Sequence, residues 1–360
     1  MNQTIDNPEV VRILVADDSA FMRMALTRMI DSDSGLRVVG TAQNGLDALA
    51  KVAVLQPDAV TLDIEMPGLN GLETLKRIMQ ESPRPVIMVS SRTYRDAETT
   101  LEALQIGAFD YVSKDLSFGS LDISHLREEL ISKIKAATVV RRRVPTPQSV
   151  AVPVAPSPPR SFHHPASNMI CIGVSTGGPQ ALQNILPLLP GDLPAGILVV
   201  QHMPVGFTGP LARRLNDLCK LSVTEAAQGE AVMPGVVYIA PAGFHMTVYK
   251  RTLSTIAICL SKKPPDMPHM PSVDVMMLSV AEVCGPVSMG IIMTGMGADG
   301  SLGMQAISRE GGLTLGQDEA SCAVYGMPRV CADMGLLNRV VPLLQIPMEI
   351  MQASGYRPHD

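Results

Sequence analysis

Several polar side chains in this sequence stand directly after short apolar runs, where the ends of buried strands are expected. In the first third of the chain, Asp17 and Asp18 follow one such run and Asp63 follows another. Ser90 ends a further run, and Lys114 comes after the next. In an open parallel sheet, groups at the carboxyl ends of strands converge on one crevice. Three carboxylates, a hydroxyl and an ammonium group are therefore predicted to share one site.

A cluster of three carboxylates is stable only when a cation neutralises their mutual repulsion. Oxygen-only ligands favour Mg²⁺, which takes one or two carboxylates and retains several waters. A third carboxylate beside the ion could attack a phosphoryl donor, and Lys114 would balance the added negative charge. Each residue alone has a simpler interpretation, because Asp18 or Ser19 could cap a helix. The joint pattern at successive strand ends favours phosphorylation chemistry.

A second set of residues with chemical potential lies in the C-terminal half. Gly173, Ser175 and Gly177 spell GxSxG within ICIGVSTGGPQAL, at a predicted strand-to-helix turn. His202 in QHMP and Asp299 in GADG follow two further apolar runs. A serine becomes a nucleophile when a histidine accepts its proton and a carboxylate orients that histidine. The three residues are thus predicted to form a Ser-His-Asp site at one edge of a sheet.

Other interpretations of this second set stay open. The glycines also suit a loop that binds phosphate, although the lysine of GxxxxGK[ST] and the spacing of GxGxxG are absent. His202 could be a core histidine, and Asp299 could cap the helix that follows it. The competing histidines, His245 and His269, could both be loop residues that touch substrate or nothing. The order Ser, His, Asp differs from that of α/β-hydrolases, so GxSxG does not establish that fold.

The elements that must position these residues alternate between strands and helices. Residues 10–130 hold five short apolar runs separated by amphipathic segments, which predicts a (βα)5 domain with a doubly wound parallel sheet. Residues 131–167 are predicted to be a helix end and a linker, because residues 144–166 contain seven prolines. Residues 168–357 repeat the alternation, which predicts a second α/β domain with a mostly parallel, doubly wound sheet and an antiparallel excursion.

Composition limits the class of protein. A chain of 360 residues is too long for one core of usual size, and its 46% hydrophobic content supports well-formed cores. The net charge of −5 argues against a nucleic-acid surface. No apolar run reaches the roughly 18 residues of a membrane span, and the first residues lack a secretion signal, so a cytoplasmic protein that is not membrane-inserted is expected. The six cysteines form no CxxC pair and are predicted to be buried free thiols.

The first domain resembles the receiver domain of response regulators. ILVADDSAFMR, TLDIEMPGLNGLE, IMVSS and YVSKD match the motifs of that family and their order. The resemblance implies that Asp63 accepts a phosphoryl group. The implied metal ligands are Asp17, Asp18, Asp63 and the main-chain carbonyl of Glu65, and the implied switch residues are Ser90, Tyr111 and Lys114. Packing in the core explains a tyrosine at position 111 nearly as well as a switching role does.

The second domain resembles the catalytic domain of chemotaxis-type protein-glutamate methylesterases, the CheB family. IGVSTGGP, QHMPVGFT, PSVDVM, TGMGADG and QDEASCAVYGMP match that family in the right order. The resemblance implies a phosphorylation-activated hydrolase that demethylates glutamate γ-methyl esters, and deamidates specific glutamines, on methyl-accepting chemoreceptors. The implied catalytic residues are Ser175, His202 and Asp299, with the backbone N–H of Met296 as an oxyanion donor and that of Thr176 as its companion.

The same resemblance implies the partners and cofactors. Mg²⁺ is expected for phosphorylation of the receiver domain and no cofactor for the esterase step, and the expected phosphodonor is a histidine kinase of the chemosensory type. A transcription factor would instead need a basic, helical output domain, which a glycine-rich α/β domain does not predict. A noncatalytic scaffold stays an alternative, although all three proposed catalytic positions are filled.

Overall fold

The computed structural model describes residues 10–90, 94–114, 119–143 and 166–357. The chain divides into two compact units between Val150 and Ala151. Almost all of the predicted proline-rich linker lies outside the described residues. Within the described ranges, no helix combines the length and the apolar character needed to cross a bilayer.

The first unit is an alternating α/β fold, as predicted. Its strands are β1 (Val11–Ala16), β2 (Leu36–Ala42), β3 (Ala59–Asp63), β4 (Val86–Ser90) and β5 (Asp110–Ser113). Its helices are α1 (Ala20–Asp31), α2 (Gly45–Leu55), α3 (Gly71–Glu81), α4 (Tyr94–Ile106) and α5 (Gly119–Arg143). The strands pair in parallel in the order β2-β1-β3-β4-β5.

Local sequence explains where the first helices begin. The side chains of Ser19, Asn44 and Asn70 each accept an N–H from the first turn of α1, α2 and α3, respectively. Ser19, rather than Asp18, therefore caps α1. Strands β3 and β4 are buried along their whole length, as expected for a parallel sheet with helices on both faces.

The order of these strands creates a crevice at one place. β1 pairs with β2 on one side and with β3 on the other, so the connections leave β1 in opposite directions. Ala16 pairs with Leu62, which puts Asp17, just past the end of β1, beside Asp63, the last residue of β3. The topology therefore brings residues of two separate motifs to one switch point.

The second unit has a larger sheet that is parallel throughout. Its strands are β6 (Met169–Val174), β7 (Gly196–Gln201), β8 (Ser222–Glu225), β9 (Val236–Ile239), β10 (His245–Lys250), β11 (Ile256–Ser261), β12 (Ser288–Ile292), β13 (Leu313–Gln317) and β14 (Arg339–Val341). Seven of them pair in the order β14-β13-β12-β6-β7-β9-β8, while β10 and β11 form a separate antiparallel hairpin. The predicted antiparallel excursion is this hairpin.

Helices cover this sheet and complete its core. They are α6 (Gly178–Ile185), α7 (Thr208–Leu218), α8 (Val273–Cys284), α9 (Ser301–Arg309), α10 (Met327–Asp333) and α11 (Ile346–Ala353). Every residue of β6, β7 and β12 is buried. β6 lies between β7 and β12, so the second switch point is at the carboxyl end of β6.

Candidate functional site

The carboxylates predicted for the first site lie together at the first switch point. One ligand oxygen from each of Asp17, Asp18 and Asp63 lies within 4.8 Å of the others. Asp17 and Asp63 are fully buried, whereas Asp18 is exposed. The Oδ2 atoms of Asp17 and Asp63 are buried and accept no hydrogen bond from the described residues. Buried carboxylate oxygens without a donor, next to a third carboxylate, fit a divalent cation that prefers oxygen ligands.

Lys114 supplies positive charge to the same cluster. Its Nζ lies 2.7 Å from Asp63 Oδ1 and 3.7 Å from Asp17 Oδ2. Burial raises the pKa of Asp63 to about 6, and the hydrogen bond from Lys114 opposes this only in part. Burial also raises the pKa of Asp17. The cluster is therefore short of positive charge, which a bound cation would supply.

Glu65 and Ser90 flank this cluster. Glu65 is exposed, and its N–H donates to Asp63 Oδ1 at 3.4 Å. Ser90 is buried at the end of β4, where its Oγ accepts a hydrogen bond from Thr100 Oγ1 in α4 at 3.0 Å. The main-chain N–H of Lys114 donates to the Ser90 carbonyl at 2.8 Å. The roles of the Glu65 carbonyl and the Ser90 hydroxyl stay predictions.

Tyr111 is buried in β5 and is held by a residue that sequence reasoning missed. Its side chain is 4% exposed. Lys133 Nζ lies 5.1 Å from the Tyr111 ring centroid and donates to the Tyr111 carbonyl at 2.6 Å. Lys133 also pairs with Asp110 and Glu129, at 3.4 and 2.7 Å. This inward position is compatible with core packing, and a switching role for Tyr111 stays a prediction.

Ser175 stands in the turn between β6 and α6 at the second switch point. It is half-buried, its N–H donates to the Thr294 carbonyl at 3.0 Å, and its own carbonyl accepts from Gly178 N–H at 2.8 Å. Gly177 has a φ of 75°, a left-handed conformation that favours glycine. A Cβ on Gly295 would lie 2.8 Å from Ser175 Cβ. The turn is thus packed closely against the loop after β12.

His202 and Asp299 meet across the sheet edge. His202 Nε2 lies 2.8 Å from Asp299 Oδ2, and each side chain is 9% exposed. His202 Nδ1 is buried and has no hydrogen-bond partner among the described residues. Nδ1 is therefore the nitrogen left to accept a proton. No hydrogen bond joins it to Ser175 in the described structure, and such bonds commonly tighten only when substrate is bound.

Asp299 is held by more than the histidine. It accepts hydrogen bonds from Ser272 Oγ at 2.8 Å, Val273 N–H at 2.8 Å and Asp274 N–H at 2.9 Å. Asp299 thus binds the N-terminus of α8, whereas the helix that follows it, α9, has Gly300 at its N-cap. Burial would raise the pKa of Asp299, but the hydrogen bond and charge of His202 and the backbone donors lower it below the ordinary value.

One of the two predicted oxyanion donors lies in the turn that carries Ser175, and the other lies in the loop after β12. Thr176 follows Ser175 and is buried, and its carbonyl accepts from Thr294 Oγ1 at 2.9 Å. Met296 is half-buried and follows Gly295, the residue whose Cα faces Ser175. The fold therefore places both residues next to the serine, and their oxyanion roles stay predictions.

The two competing histidines have different environments. The expectation of a loop is wrong for His245, which is buried in β10; its Nδ1 accepts from Ser272 N–H at 3.2 Å, and its Nε2 lies 3.0 Å from the Pro264 carbonyl. His269 is exposed, and its ring stacks on that of His202 with centroids 4.0 Å apart and planes inclined by 23°. DMPHMPS carries no periodic signal that would predict this contact.

Gln201 is a further residue that the sequence does not single out, although it precedes His202. Its Nε2 donates to the carbonyls of Ser175 and His202 at 2.9 and 3.0 Å. A Cβ on Gly178 would lie 2.0 Å from Gln201 Oε1, so the helix start is pressed against this amide. One buried side chain thus ties together the backbones that carry the serine and the histidine.

The two units together define a class of protein. One is a doubly wound domain with a carboxylate and lysine cluster at its switch point, and the other places serine, histidine and aspartate at the switch point of a second parallel sheet. This combination is that of a hydrolase domain joined to a receiver domain.

Comparison with known proteins gives the family. The CheB methylesterase family model matches residues 170–350, and the response regulator receiver domain model matches residues 13–124. The chain is 46% identical over 342 residues to the protein-glutamate methylesterase/protein-glutamine glutaminase of Halalkalibacterium halodurans, covering 95% of this chain and 98% of that protein. The protein of the same name from Symbiobacterium thermophilum is 45% identical over 369 residues, with 99% of each chain covered.

A solved structure agrees with these relatives. The crystal structure of the Thermotoga maritima CheB methylesterase catalytic domain superimposes with a TM-score of 0.51 and 39% sequence identity, covering 52% of this chain and 98% of that chain. The chain belongs to the CheB methylesterase family, and its N-terminal domain is a response regulator receiver domain. The predicted family and fold class are confirmed.

Proposed function

We propose that the chain hydrolyses glutamate γ-methyl esters, and deamidates specific glutamines, on methyl-accepting chemoreceptors, and that phosphorylation of its receiver domain raises this activity. The observation that supports the chemistry best is the 2.8 Å contact of His202 Nε2 with Asp299 Oδ2, at the strand edge that also carries Ser175. Family membership supports the substrate class, since the relatives are named protein-glutamate methylesterase/protein-glutamine glutaminase.

The first half of the reaction is acylation of Ser175. His202 Nδ1 takes the Ser175 hydroxyl proton as Oγ attacks the ester carbonyl, and the imidazolium that forms keeps its Nε2–H on Asp299. The backbone N–H groups of Thr176 and Met296 donate hydrogen bonds to the carbonyl oxygen as negative charge develops on it. One such donor contributes roughly a hundredfold to a thousandfold in rate.

The remaining steps release the products and return the enzyme to its starting state. Acylation is complete when the C–O bond of the ester, or the C–N bond of a glutamine, breaks and His202 gives its proton to the departing oxygen or nitrogen, which leaves as methanol or ammonia. Water then attacks the acyl-enzyme with His202 again as base. The products are a glutamate side chain and free Ser175. The lowered pKa of Asp299 keeps this carboxylate ionised throughout.

The receiver domain supplies the regulation. Asp63 is the proposed phosphoacceptor, and Asp17, Asp18, Asp63 and the Glu65 carbonyl are the proposed ligands of Mg²⁺. A bound Mg²⁺ would neutralise the carboxylates and the incoming phosphoryl group. Lys114, already 2.7 Å from Asp63, adds a second positive charge. The proposed phosphodonor is a histidine kinase of a chemosensory pathway, and the proposed place of action is the cytoplasm.

Methanol release from methylated chemoreceptor membranes tests this proposal. Wild type should release methanol, and Ser175→Ala should reduce the rate by about 10⁴-fold or more. Ser308→Ala is the matched control, because Ser308 is exposed on α9; this variant should keep the wild-type rate. Equal release by wild type and Ser175→Ala would contradict the serine mechanism, whereas no release by wild type would favour a noncatalytic scaffold.

A further inference from the structure

Asp274 is a buried carboxylate that the mechanism above does not use. It lies in the first turn of α8 and is 7% exposed. Its Oδ1 accepts the N–H of Gly303 at 2.8 Å, and the nearby backbone of Gly300 and Leu302 lowers the pKa of the carboxylate. All three residues belong to the beginning of α9. Asp274 therefore caps a helix other than the one on which it lies.

Asp299 makes the reciprocal arrangement. It stands just before α9 and accepts the N–H groups of Val273 and Asp274 at the beginning of α8. Each carboxylate thus lies at the start of one helix and binds the start of the other. The contacts form a closed ring, which runs from Asp299 to the first turn of α8, through the Asp274 side chain to α9, and back to the loop of Asp299.

Close packing makes this ring rigid. A Cβ on Gly303 would lie 2.4 Å from Met277 Cβ, and a Cβ on Gly300 would lie 2.9 Å from Val273 Cγ1. The two helix starts are therefore as close as glycine allows. A shift of α9 relative to α8 would move Asp299 along with its loop, away from or into His202.

The electrostatic cost of two neighbouring buried carboxylates indicates that Asp274 does more than cap a helix. The pKa of Asp274 is raised to about 6, chiefly by burial and also by the neighbouring charge of Asp299, against the lowering effect of the nearby backbone. Two carboxylates this close repel each other. An uncharged cap such as serine would satisfy the same N–H groups without that repulsion. The Asp274 side chain is long enough to reach the N–H of Gly303 while the backbone N–H of Asp274 donates to Asp299.

We propose that Asp274 is a positioning residue that, by joining the beginnings of α8 and α9, holds Asp299 Oδ2 on His202 Nε2. Its effect on turnover rests on the proposed function, whereas its effect on the geometry of the His202 and Asp299 pair does not. A displacement of a catalytic group by about 1 Å costs about a hundredfold in rate.

The test compares two substitutions in the full-length protein. Asp274→Ala removes every acceptor oxygen and should lower kcat about a hundredfold, with KM within about twofold of wild type. Asp274→Asn keeps one acceptor oxygen and should lower kcat about tenfold. Glu349→Gln is the matched control, because Glu349, in α11, is also 7% exposed and its carboxylate pairs with Arg339 of β14 rather than with α8 or α9. The kcat of this variant should stay within about twofold of wild type.

A second measurement is independent of activity. The ring N–H of His202 bound to Asp299 should give a low-field proton resonance, assigned by its loss in Asp299→Asn. Asp274→Asn should shift or broaden this resonance, and Glu349→Gln should leave it unchanged. If both Asp274 variants lose thermal stability but keep the resonance and kcat of wild type, Asp274 is only a helix cap and the proposal is wrong. If wild type releases no methanol, the proposed function fails, while the resonance still decides the positioning role.

Discussion

Asp63 and Asp299 occupy equivalent places in the two domains and have opposite electrostatic environments. Asp63 is the last residue of β3 at the first switch point, and Asp299 lies in the loop that follows β12 at the second. The pKa of Asp63 is raised to about 6 by burial, with one close ammonium partner. The pKa of Asp299 is lowered despite burial, because the hydrogen bond and charge of His202 and the backbone N–H groups of Asp274 and Val273 stabilise the ionised form.

The number of donors decides what each carboxylate can do. With one oxygen bound by Lys114 and the other lacking a donor, Asp63 has an oxygen available for a cation and a phosphoryl group. Asp299 uses both oxygens in hydrogen bonds and is fixed as a charged acceptor for His202. The same residue type is thus prepared for a reaction at one switch point and for orientation at the other.

The contrast between the two carboxylates is tested most strongly by removing the charge of Asp299. Asp299→Asn should lower kcat by about 10⁴-fold, because the amide cannot hold His202 in the tautomer that accepts the serine proton. It should also lower the free energy of unfolding by about 1–3 kcal/mol, since buried N–H groups of α8 lose an acceptor. Methanol release and urea unfolding measure the two effects. A variant with a near-normal rate would show that Asp299 only caps α8.

The pH dependence of the stability of the receiver domain tests the environment of the other carboxylate, Asp63. The folded-state pKa of Asp63 is about 6 and the ordinary value is 3.8, so its stabilising contribution is complete below about pH 3.8 and is lost as pH rises through 6. Without divalent metal, Asp63→Asn should therefore be more stable than wild type at pH 8, by up to about 3 kcal/mol, and should show little difference near pH 4.

Asp33 provides a control of opposite sign in the same domain. The hydrogen bond from Lys135 lowers the pKa of Asp33, so this group stabilises the fold at neutral pH and loses that effect in acid. Asp33→Asn should be less stable than wild type at pH 8, by at most about 1 kcal/mol because the pair is partly exposed. A stability gain in both variants would contradict the assignment of the pH effect to Asp63.

Activation by phosphorylation is the next largest effect. A small phosphodonor with Mg²⁺ should raise the methanol release of wild type and should leave Asp63→Asn at its basal rate. An activation of about tenfold needs only about 1.4 kcal/mol of differential stabilisation. Asp33→Asn should be activated like wild type. Full activation of Asp63→Asn would show that Asp63 is not the phosphoacceptor.

The smallest expected effect concerns His269. Its ring stacks on His202, and aromatic stacking is worth about 0.5–1.5 kcal/mol. His269→Ala should lower kcat about twofold to tenfold without unfolding the protein, because the residue is exposed. His269→Phe keeps a ring over His202 and should recover most of the rate. A normal rate in His269→Ala would show that the contacts of Asp299 are sufficient to orient His202.

Sequence alone predicts the strand-end residues well, because parallel sheets gather their functional groups at one edge. The alternation of apolar runs and amphipathic segments predicts both α/β domains, and the ends of those runs identify Asp17, Asp63 and Lys114 as neighbours. The same reasoning brings His202 to Asp299, which are 97 residues apart. Each of these predictions needs only the strand direction and the switch-point rule.

Contacts that depend on side-chain packing do not follow from the sequence pattern. The capping of α8 by Asp299 joins residues 25 to 27 positions apart across two helices. Three further contacts depend on side-chain rotamers and on the paths of loops. They are the stack of His269 on His202, the contact of Lys133 with Tyr111, and the use of Nε2 rather than Nδ1 of His202 to bind Asp299. Propensity and periodicity carry no information on these choices.

The amide of Gln201 has a consequence for folding. It reaches the carbonyls of Ser175 and His202 only when Val174 pairs with Gln201 between β6 and β7. A slip of one residue would turn Gln201 to the opposite face of the sheet. Slipped chains would still show the far-ultraviolet circular dichroism of an α/β protein, whereas they would not turn over substrate. Recovered methanol release after refolding therefore counts the molecules in which these two central strands have found their register.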